Sequence, residues 1–428
     1  MIRAVKNYSA FLWRCARIAF VGDWRYYAWM GFLSVIVLLG LNAYCRQFVN
    51  GLVTTGMSDE VSWGVYISNF TFIVGIAAAA AMLVIPVYIY DNEELHDLVI
   101  FGELLAVASI LMCLAFVIVD LGRSDRFWHL IPGIGKFNFP HSMLAWDVVV
   151  LNGYLLLNVY ICGYLLYCRY RGRKPAKWFY IPFVFIAIVW AVSIHTVTAF
   201  LYVGLGGRHF WNSAIVGPRF LASAFTAGPA LIILALQVIR GVTAYRITDK
   251  ALLTLRGIVQ VSMLINVFLL LNEVFKEFYS KSKNITSSTY LFFGLDGHHA
   301  LVPWIWTAVT FNLIAMFLLI LPLTRSLKYL NVACVLAIVG IWIEKGMGLV
   351  VPGFIPTPLG EIVEYSPSLN ETLICLGIWS FGFLAYTIFL RMAVPILQGK
   401  LSQAKENVPL HDVIHTQGTG SEEVLAKA

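Results

Sequence analysis

Residues 63–90 read WGVYISNFTFIVGIAAAAAMLVIPVYIY, a stretch without a single charged side chain. About 20 apolar residues are enough to cross the hydrocarbon core of a bilayer as a helix. The stretch therefore predicts a transmembrane helix, long enough to tilt or to extend past the bilayer. Its five small residues, Ala77–Ala81, favour close approach of a neighbouring helix, and Pro86 predicts a kink near the inner end.

The rest of the chain has the same apolar character. Of its 428 residues, 60% are hydrophobic and only 12% are charged, whereas soluble domains carry about 25% charged residues. The excess is typical of lipid-facing surface. The sequence therefore predicts an all-α integral membrane protein with about ten transmembrane helices, at residues 26–45, 64–90, 99–119, 146–168, 178–202, 218–239, 255–275, 303–322, 330–351 and 370–391.

Three regions follow from this pattern. Residues 1–25 are basic, and their apolar part, Tyr8–Val21, is too short to span and lacks a cleavage motif. We interpret them as a cytoplasmic interfacial segment rather than a signal peptide. Residues 26–391 form the membrane domain, and residues 392–428 form a polar cytoplasmic tail.

The distribution of basic residues predicts the orientation. If the N terminus is cytoplasmic, the cytoplasmic segments hold twenty of the 30 Lys and Arg residues and the opposite side holds ten. Cytoplasmic loops are enriched in Lys and Arg, so both termini are predicted to be cytoplasmic. This topology also explains the net charge of +7, and nucleic-acid binding is not expected.

Polar residues within spans are costly and usually functional. With the orientation above, several fall at one level near the outer face: Asn69, Asp147, His195, Arg219, Glu273, Glu344 and Lys345. The outer loop at 120–145 lies above them. This level suits a quinone, whose ring needs hydrogen-bonding partners and a proton acceptor such as His. For each residue alone, an interhelical or helix-end hydrogen bond is the alternative.

From this level and the loop above it we select the quinone-binding candidates: Asn69, Trp128, His129, His141, Asp147 and His195. On the inner side, Glu103 lies about a turn into its helix, below the acidic loop 91–97. It is a candidate for taking protons from the cytoplasm. Glu273, near the outer face, is the second candidate for the proton path. A snorkelling or interhelically bonded carboxyl is the alternative for Glu103.

The sequence argues against a resident cofactor. A membrane di-haem protein needs paired His ligands within its helices, and of nine His only His195 lies in a span. The seven Cys include no CxxC pair, which is the close spacing that an iron–sulfur cluster or a zinc site would favour. Any electrons are therefore predicted to pass directly between a bound quinone and a partner protein.

Four segments, residues 63–83, 120–158, 195–202 (HTVTAFLY) and 343–371, resemble the NrfD/PsrC family of quinone-interacting membrane subunits. The second and fourth are most similar to its DsrP branch, from the DsrMKJOP complexes of sulfur-metabolising prokaryotes. The resemblance implies two four-helix bundles with two extra helices, in the cytoplasmic membrane of a prokaryote. It also implies menaquinone chemistry near the outer face without a cofactor in this chain.

The resemblance further implies partners. They are a periplasmic ferredoxin-like iron–sulfur subunit, a haem b membrane subunit, a multihaem cytochrome c and a cytoplasmic iron–sulfur subunit. One departure concerns relatives in alternative complex III, which place a His in the small-residue run of the second span. This chain has Gly-Ile-Ala-Ala-Ala at 75–79, so a proton route through that His is not expected.

The sequence therefore predicts a menaquinone-reactive electron-transfer subunit. A related NrfD-type subunit of a hydrogenase- or cytochrome-linked complex is one alternative. An ion or solute transporter is another, and it would favour broken helices with polar groups near the midplane. A structural anchor for soluble redox partners is a third, which would not bind quinone.

Overall fold

The computed structural model describes residues 2–281, 285–405, 410 and 413. An N-terminal helix, Ile2–Ile18, precedes ten long apolar helices. These are α1 (Trp24–Asn50), α2 (Val65–Tyr88), α3 (Val99–Asp120), α4 (Met143–Tyr170), α5 (Lys177–Val203), α6 (Val216–Val242), α7 (Asp249–Ser280), α8 (Val302–Ile320), α9 (Leu327–Phe354) and α10 (Leu369–Leu397). All ten predicted spans are confirmed, and their ends differ from the predicted ones by at most six residues.

The ten helices make this chain a multi-pass membrane protein built from two four-helix bundles. The first bundle contains α2, α3, α4 and α5, and the second contains α6, α7, α8 and α9. Helix α1 packs along α10, and α10 in turn packs against α3 and α4 of the first bundle. The arrangement implied by the resemblance, two bundles and two further helices, is the one observed.

The seam between the bundles is built from small residues. Helix α2 packs against α6 there, and a Cβ added to Gly228 would lie 2.4 Å from the Cβ of Ala79. A Cβ on Gly75 would lie 3.5 Å from Ala224. Small side chains let helix backbones approach closely, which confirms the interpretation of the alanine run Ala77–Ala81.

The first and last spans meet in the same way. A Cβ on Gly40 of α1 would lie 2.7 Å from the Cα of Gly377 of α10. Near the inner end, the guanidinium of Arg391 donates to the carbonyl of Val21 at 2.6 and 2.8 Å. The two ends of the membrane domain are therefore joined along one helix pair.

Two spans are interrupted within their length. Helix α2 consists of Val65–Ala77 and Ala79–Tyr88, and Pro86 lies inside the second part rather than at the interruption. Helix α9 stops at Lys345, and short helical turns continue it after Gly346. A Cβ on Gly346 would lie 2.5 Å from the Trp342 carbonyl oxygen, so the break needs glycine. The sequence predicted both spans as continuous.

The two terminal regions are described only in part. The N-terminal helix buries Phe11 against the rings of Tyr167 and Tyr170 in α4, and leaves Trp13 exposed. This two-sided helix fits the predicted interfacial segment, and its attachment to lipid stays a prediction. The predicted tail, 392–428, begins within α10, and apart from residues 410 and 413 the part after residue 405 lies outside the described residues.

Candidate functional site

Asp147 and His195 are buried on neighbouring helices of the first bundle. Ser142 caps the start of α4, which places Asp147 near the outer end of that helix. Its carboxylate accepts a hydrogen bond from the Thr198 hydroxyl of α5 at 3.0 Å. His195 lies one turn before Thr198 on the same helix face, and all three side chains are at most 2% exposed. Thr198 therefore ties Asp147 of α4 to the face of α5 that also carries His195.

One nitrogen of the His195 ring is hydrogen-bonded and the other is not. Its Nδ1 lies 2.9 Å from the Ala191 carbonyl oxygen, an acceptor, so Nδ1 carries the proton. The other nitrogen, Nε2, is buried and has no hydrogen-bond partner among the described residues. A neutral imidazole in this tautomer presents Nε2 as a proton acceptor. His195 can therefore take a proton from a group that approaches Nε2.

Two hydroxyls extend this group toward α2. The Tyr202 hydroxyl of α5 is hydrogen-bonded to the Thr71 hydroxyl, and Thr71 also donates to the Ile67 carbonyl at 2.8 Å. Sequence analysis missed Thr71, Thr198 and Tyr202. The spacing 195, 198, 202 was the available signal, because such spacing places side chains on one face of a helix.

A narrow cavity separates the bundles next to His195. It is lined by α2, α5, α6 and α9, through Thr71, Phe72, Gly75, His195, Phe220, Ser223, Ala224, Ala227, Ile341 and Lys345. It has room for about one water molecule and not for a two-ring quinone. The cavity is therefore a small polar site at the seam.

Charged residues from the second bundle form a compensated cluster beside this cavity. The Arg219 guanidinium of α6 makes ion pairs with Glu273 of α7 and, at 2.6 Å, with Glu344 of α9. The other Glu344 oxygen accepts from the Asn312 amide of α8 at 2.6 Å. Each helix of the bundle contributes one partner, as buried charges require.

Lys345 follows Glu344 and turns to the cavity. Its amino group lies 3.8 Å from the centre of the Phe220 ring. The two carboxylates of the cluster pair with Arg219 instead. The sequence placed Arg219, Glu344 and Lys345 at the right level but did not select them as site residues.

Asn69 does not join Asp147 and His195. Its side-chain oxygen accepts from the indole N–H groups of Trp342 in α9 and Trp379 in α10, at 3.0 and 2.9 Å. Its amide nitrogen donates to the Val65 carbonyl at 2.8 Å. The interhelical hydrogen bond, which was the alternative for this residue, is what the structure shows.

The loop residues of the predicted site lie at the surface. The Trp128 and His129 rings are stacked with centroids 3.8 Å apart, and His129 Nδ1 accepts from the Lys136 amide at 3.2 Å. His141 is exposed. In the described part of the chain, neither histidine is hydrogen-bonded to Asp147 or His195. Phe139, packed on Trp146, connects this loop to the start of α4.

Glu103 and Glu273 have different surroundings. Glu103 of α3 is 1% exposed, its Oε2 has no hydrogen-bond partner among the described residues, and Tyr88 and Tyr154 are electrostatic neighbours. Nearby at the inner surface, Asp97 contacts His96 and Arg169, which together lower the pKa of that carboxyl. Glu273 is held by Arg219. Their roles in proton transfer stay predictions.

Comparison with known families gives the chain's relationship. The model of the family described as "Polysulphide reductase, NrfD" matches residues 53–355. The chain belongs to the NrfD family. The match runs from before α2 to the end of α9, so the NrfD unit in this chain is the pair of four-helix bundles together with the site at their seam.

Relatives of this NrfD chain span nearly its whole length. A Halobacterium salinarum protein, provisionally named as a membrane subunit of dimethyl sulfoxide reductase, is 26% identical, covering 85% of this chain and 90% of its own. The "Hdr-like menaquinol oxidoreductase integral membrane subunit" of Archaeoglobus fulgidus is 22% identical, covering 89% and 96%. A selenate reductase subunit of Mesobacillus selenatarsenatis is also 22% identical, covering 85% and 93%.

Proposed function

We propose that this chain is the menaquinone-reactive membrane subunit of a multi-subunit oxidoreductase complex. The observation that carries the proposal is the pairing of Asp147 with Thr198 beside His195, all buried near the outer ends of α4 and α5. Asp147 and His195 have no ion-pair partner within the described chain, and His195 keeps a free acceptor nitrogen. The name of the Archaeoglobus relative, a menaquinol oxidoreductase subunit, supports the same chemistry.

In this proposal the quinol ring lies toward the loop rather than in the seam cavity. The cavity is too narrow for the ring, whereas Asp147 lies close to the outer end of α4. The loop above offers exposed Phe127 and Trp128 for stacking, and His129 and His141 as further proton acceptors. Asn69 contributes by bracing α2 rather than by touching the ring.

The proton balance fits the residues present. Oxidation of one quinol to quinone releases two electrons and two protons. One proton goes to Nε2 of His195, and the Asp147 carboxylate, oriented by Thr198, takes the other. The two electrons pass to an iron–sulfur cluster in a ferredoxin-like partner docked on the outer face. The reverse sequence reduces menaquinone.

The identity of the complex is a finer proposal. The likeness of residues 120–158 and 343–371 to the DsrP branch favours a DsrMKJOP-type complex. Its other subunits would then be a haem b membrane protein, a multihaem cytochrome c and a cytoplasmic iron–sulfur protein. A second candidate is a complex that reduces a sulfoxide or an oxyanion, which the names of the Halobacterium and Mesobacillus relatives favour. The proteins that co-purify with the chain distinguish the two.

We test the proposal with the intact complex purified from its native membrane. Menaquinone should co-purify, and menaquinol should reduce the partner's iron–sulfur clusters. We expect Asp147→Asn and His195→Gln each to slow this reduction at least about 100-fold, the lower range for a positioned acid–base group. The matched control is Asn152→Ala on α4, since Asn152 bonds only to Val148 of its own helix. Wild-type rates in both site variants would refute the site.

A proton route from the cytoplasm to this site through Glu103 is part of the same proposal. The carboxyl is buried near the inner end of α3 with one unpartnered oxygen, and buried ionisable groups in membrane helices mark proton relays. In vesicles, Glu103→Gln should abolish proton uptake from the inner side during quinone reduction while the electrons still flow. Unchanged uptake would leave Glu103 as a structural residue.

A further inference from the structure

The seam cavity has an ionisable group from each bundle on its wall. His195 of α5 lines it, and the Nε2 atom of this residue is buried with no hydrogen-bond partner among the described residues. Across the cavity, Lys345 of α9 touches the Phe220 ring, and no described residue forms an ion pair with its amino group. Both residues line the same one-water cavity. One group that can donate a proton and one that can accept it therefore border the same small space.

The size and lining of that space suit one bound water. A buried water needs about one water-sized volume and two to four polar partners, and the cavity offers both. Besides the nitrogen atoms of His195 and Lys345, the hydroxyls of Thr71 and Ser223 are present. Each hydroxyl donates to a backbone carbonyl, Ile67 and Phe220 respectively, and so has a lone pair left to accept, although Thr71 also accepts from the Tyr202 hydroxyl.

The position of Lys345 suits a group that gains and loses a proton. It is the last residue before the break at Gly346. The carboxyl end of a helix favours a cation, and the Phe220 ring adds a cation–π contact. Opposing these, Arg219 lies nearby, and burial in an apolar seam disfavours an ammonium. Neither form of Lys345 is therefore strongly excluded.

We propose that a water in this cavity connects His195 and Lys345 and passes protons between the two bundles. The inference rests on the proposed function, because the proton arrives at His195 from quinol. In that direction, imidazolium Nε2–H donates to the water, and the water donates to the neutral amine of Lys345. The products are neutral imidazole, the ammonium and the same water. In quinone reduction each transfer runs in reverse.

This link would give the second bundle a task in the quinone reaction. Arg219 with Glu273 and Glu344 carries one net negative charge, and protonated Lys345 brings the cluster to neutrality. A proton that reaches Lys345 is therefore stabilised by the cluster beside it. Lys345 does not touch the quinone, so it acts as a proton-exchanging residue behind His195.

Two substitutions separate this role from charge balance. Arginine keeps the positive charge but does not release a proton in proteins, whereas methionine keeps the length without the charge. We expect Lys345→Arg and Lys345→Met alike to slow quinol-driven reduction at least about 10-fold, with menaquinone content unchanged. Ser223→Ala, elsewhere on the cavity wall, should slow it by less than Lys345→Arg. A wild-type rate in Lys345→Arg would overturn the proposal.

Two further measurements do not depend on the rate of the reaction. Infrared difference spectra of quinol oxidation should show the His195 imidazole change protonation and recover in wild type, and stay protonated in Lys345→Met. A high-resolution map of the complex should show density between His195 Nε2 and Lys345 Nζ. An empty cavity in that map would overturn the link, even if the variants failed to assemble. Absence of quinol-driven reduction in wild type would instead refute the proposed function, and the map would still decide the water.

Discussion

The two four-helix bundles bury polar residues in different ways. In the second bundle the charges compensate each other, since Arg219 pairs with Glu273 and Glu344. In the first bundle Glu103, Asp147 and His195 are almost wholly buried, and none has an ion-pair partner within the described chain. A carbonyl is the partner of His195 and a hydroxyl that of Asp147, whereas Glu103 Oε2 has no hydrogen-bond partner among the described residues.

This difference separates a stabilising role from a reactive one. A buried ion pair whose charges are mutually satisfied holds its helices together and resists titration, because removing either partner leaves an unpaired charge. A buried ionisable group without an ionic partner exchanges protons at lower cost to the fold. The two bundles share an architecture, and the proton-exchanging groups proposed above are the ones without an ionic partner: Asp147 and His195 in the first bundle, and Lys345 beside the paired cluster of the second.

The strongest test of the contrast removes the central cation of the second bundle. Arg219→Met leaves Glu273 and Glu344 buried without their partner, and breaking a buried pair costs about 3–5 kcal/mol. We expect a large fall in the melting temperature of the purified complex. The control is Arg123→Met, which removes an exposed ion pair with Asp125 in the outer loop and should leave melting unchanged. Equal melting temperatures of the two variants would contradict the view that the cluster holds the helices of the second bundle together.

Asn69 tests whether every polar residue of the outer level is reactive. Asn69→Ala leaves the indole N–H groups of Trp342 and Trp379 without an acceptor, at about 1–3 kcal/mol for each buried donor. We expect lower thermal stability, with the KM for menaquinol unchanged in the folded fraction. A rise in KM with unchanged melting would return Asn69 to the quinone site.

The seam offers a matched pair of glycine substitutions on α6. Gly228→Ala places a methyl group against Ala79, whereas Gly217→Ala meets nothing within 4 Å. Overpacking costs about 1–3 kcal/mol, so Gly228→Ala should be the less stable of the two in the same denaturation assay. Equal stability of the two variants would contradict a tight contact between the bundles at Gly228 and Ala79.

The smallest expected effect lies in the outer loops above the second bundle. Partial burial alone would raise the pKa of Glu364, but the Ala300 amide, His298 and Tyr290 outweigh it and lower the pKa below 4.5. Such a group stabilises the loop above pH 4.5, and the stabilisation is lost as pH falls through the lowered pKa. The protection of the Ala300 amide from hydrogen exchange, relative to the intrinsic rate at the same pH, should therefore fall at low pH in wild type. Glu364→Gln should remove that step, and Glu361→Gln, at an exposed position, should keep it.

Much of the fold was predictable because lipid imposes a strong rule on sequence. Apolar runs such as 99–119 and 178–202 are confirmed as α3 and α5 to within one residue at each end. The breaks at Ala78 and Gly346 were not predicted, because hydropathy reports side-chain polarity and contains no information on backbone geometry. The existence of two four-helix bundles was implied by family resemblance, whereas which helices form each bundle was not predicted and comes from the packing.

The sequence predicted the depth of the candidate site residues in the membrane but not which residues they bond to. Asp147 and His195 fall at the same level in the sequence, and in the structure Asp147 bonds to Thr198, one turn after His195 on α5. Asn69 lies at that level too, yet faces Trp342 and Trp379. A helix has several faces at one depth, and only the packing decides which face meets which neighbour. Adjacency in sequence is no better a guide, since Lys345 follows Glu344 directly, yet Glu344 pairs with Arg219.

The contact between the first and last spans bears on how the protein is made. During translation α1 emerges first, but its glycine contact with α10 at Gly40 and Gly377 has no counterpart until the whole sequence is synthesised. The Glu371 carboxylate of α10 likewise accepts from Gly56 in the loop after α1 at 2.7 Å. Membrane insertion of the nascent chain therefore ends with a closure step, and a ribosome that stalls before α10 would leave α1 held by the bonds of Gln47 to Tyr66 and Val119 without its glycine contact.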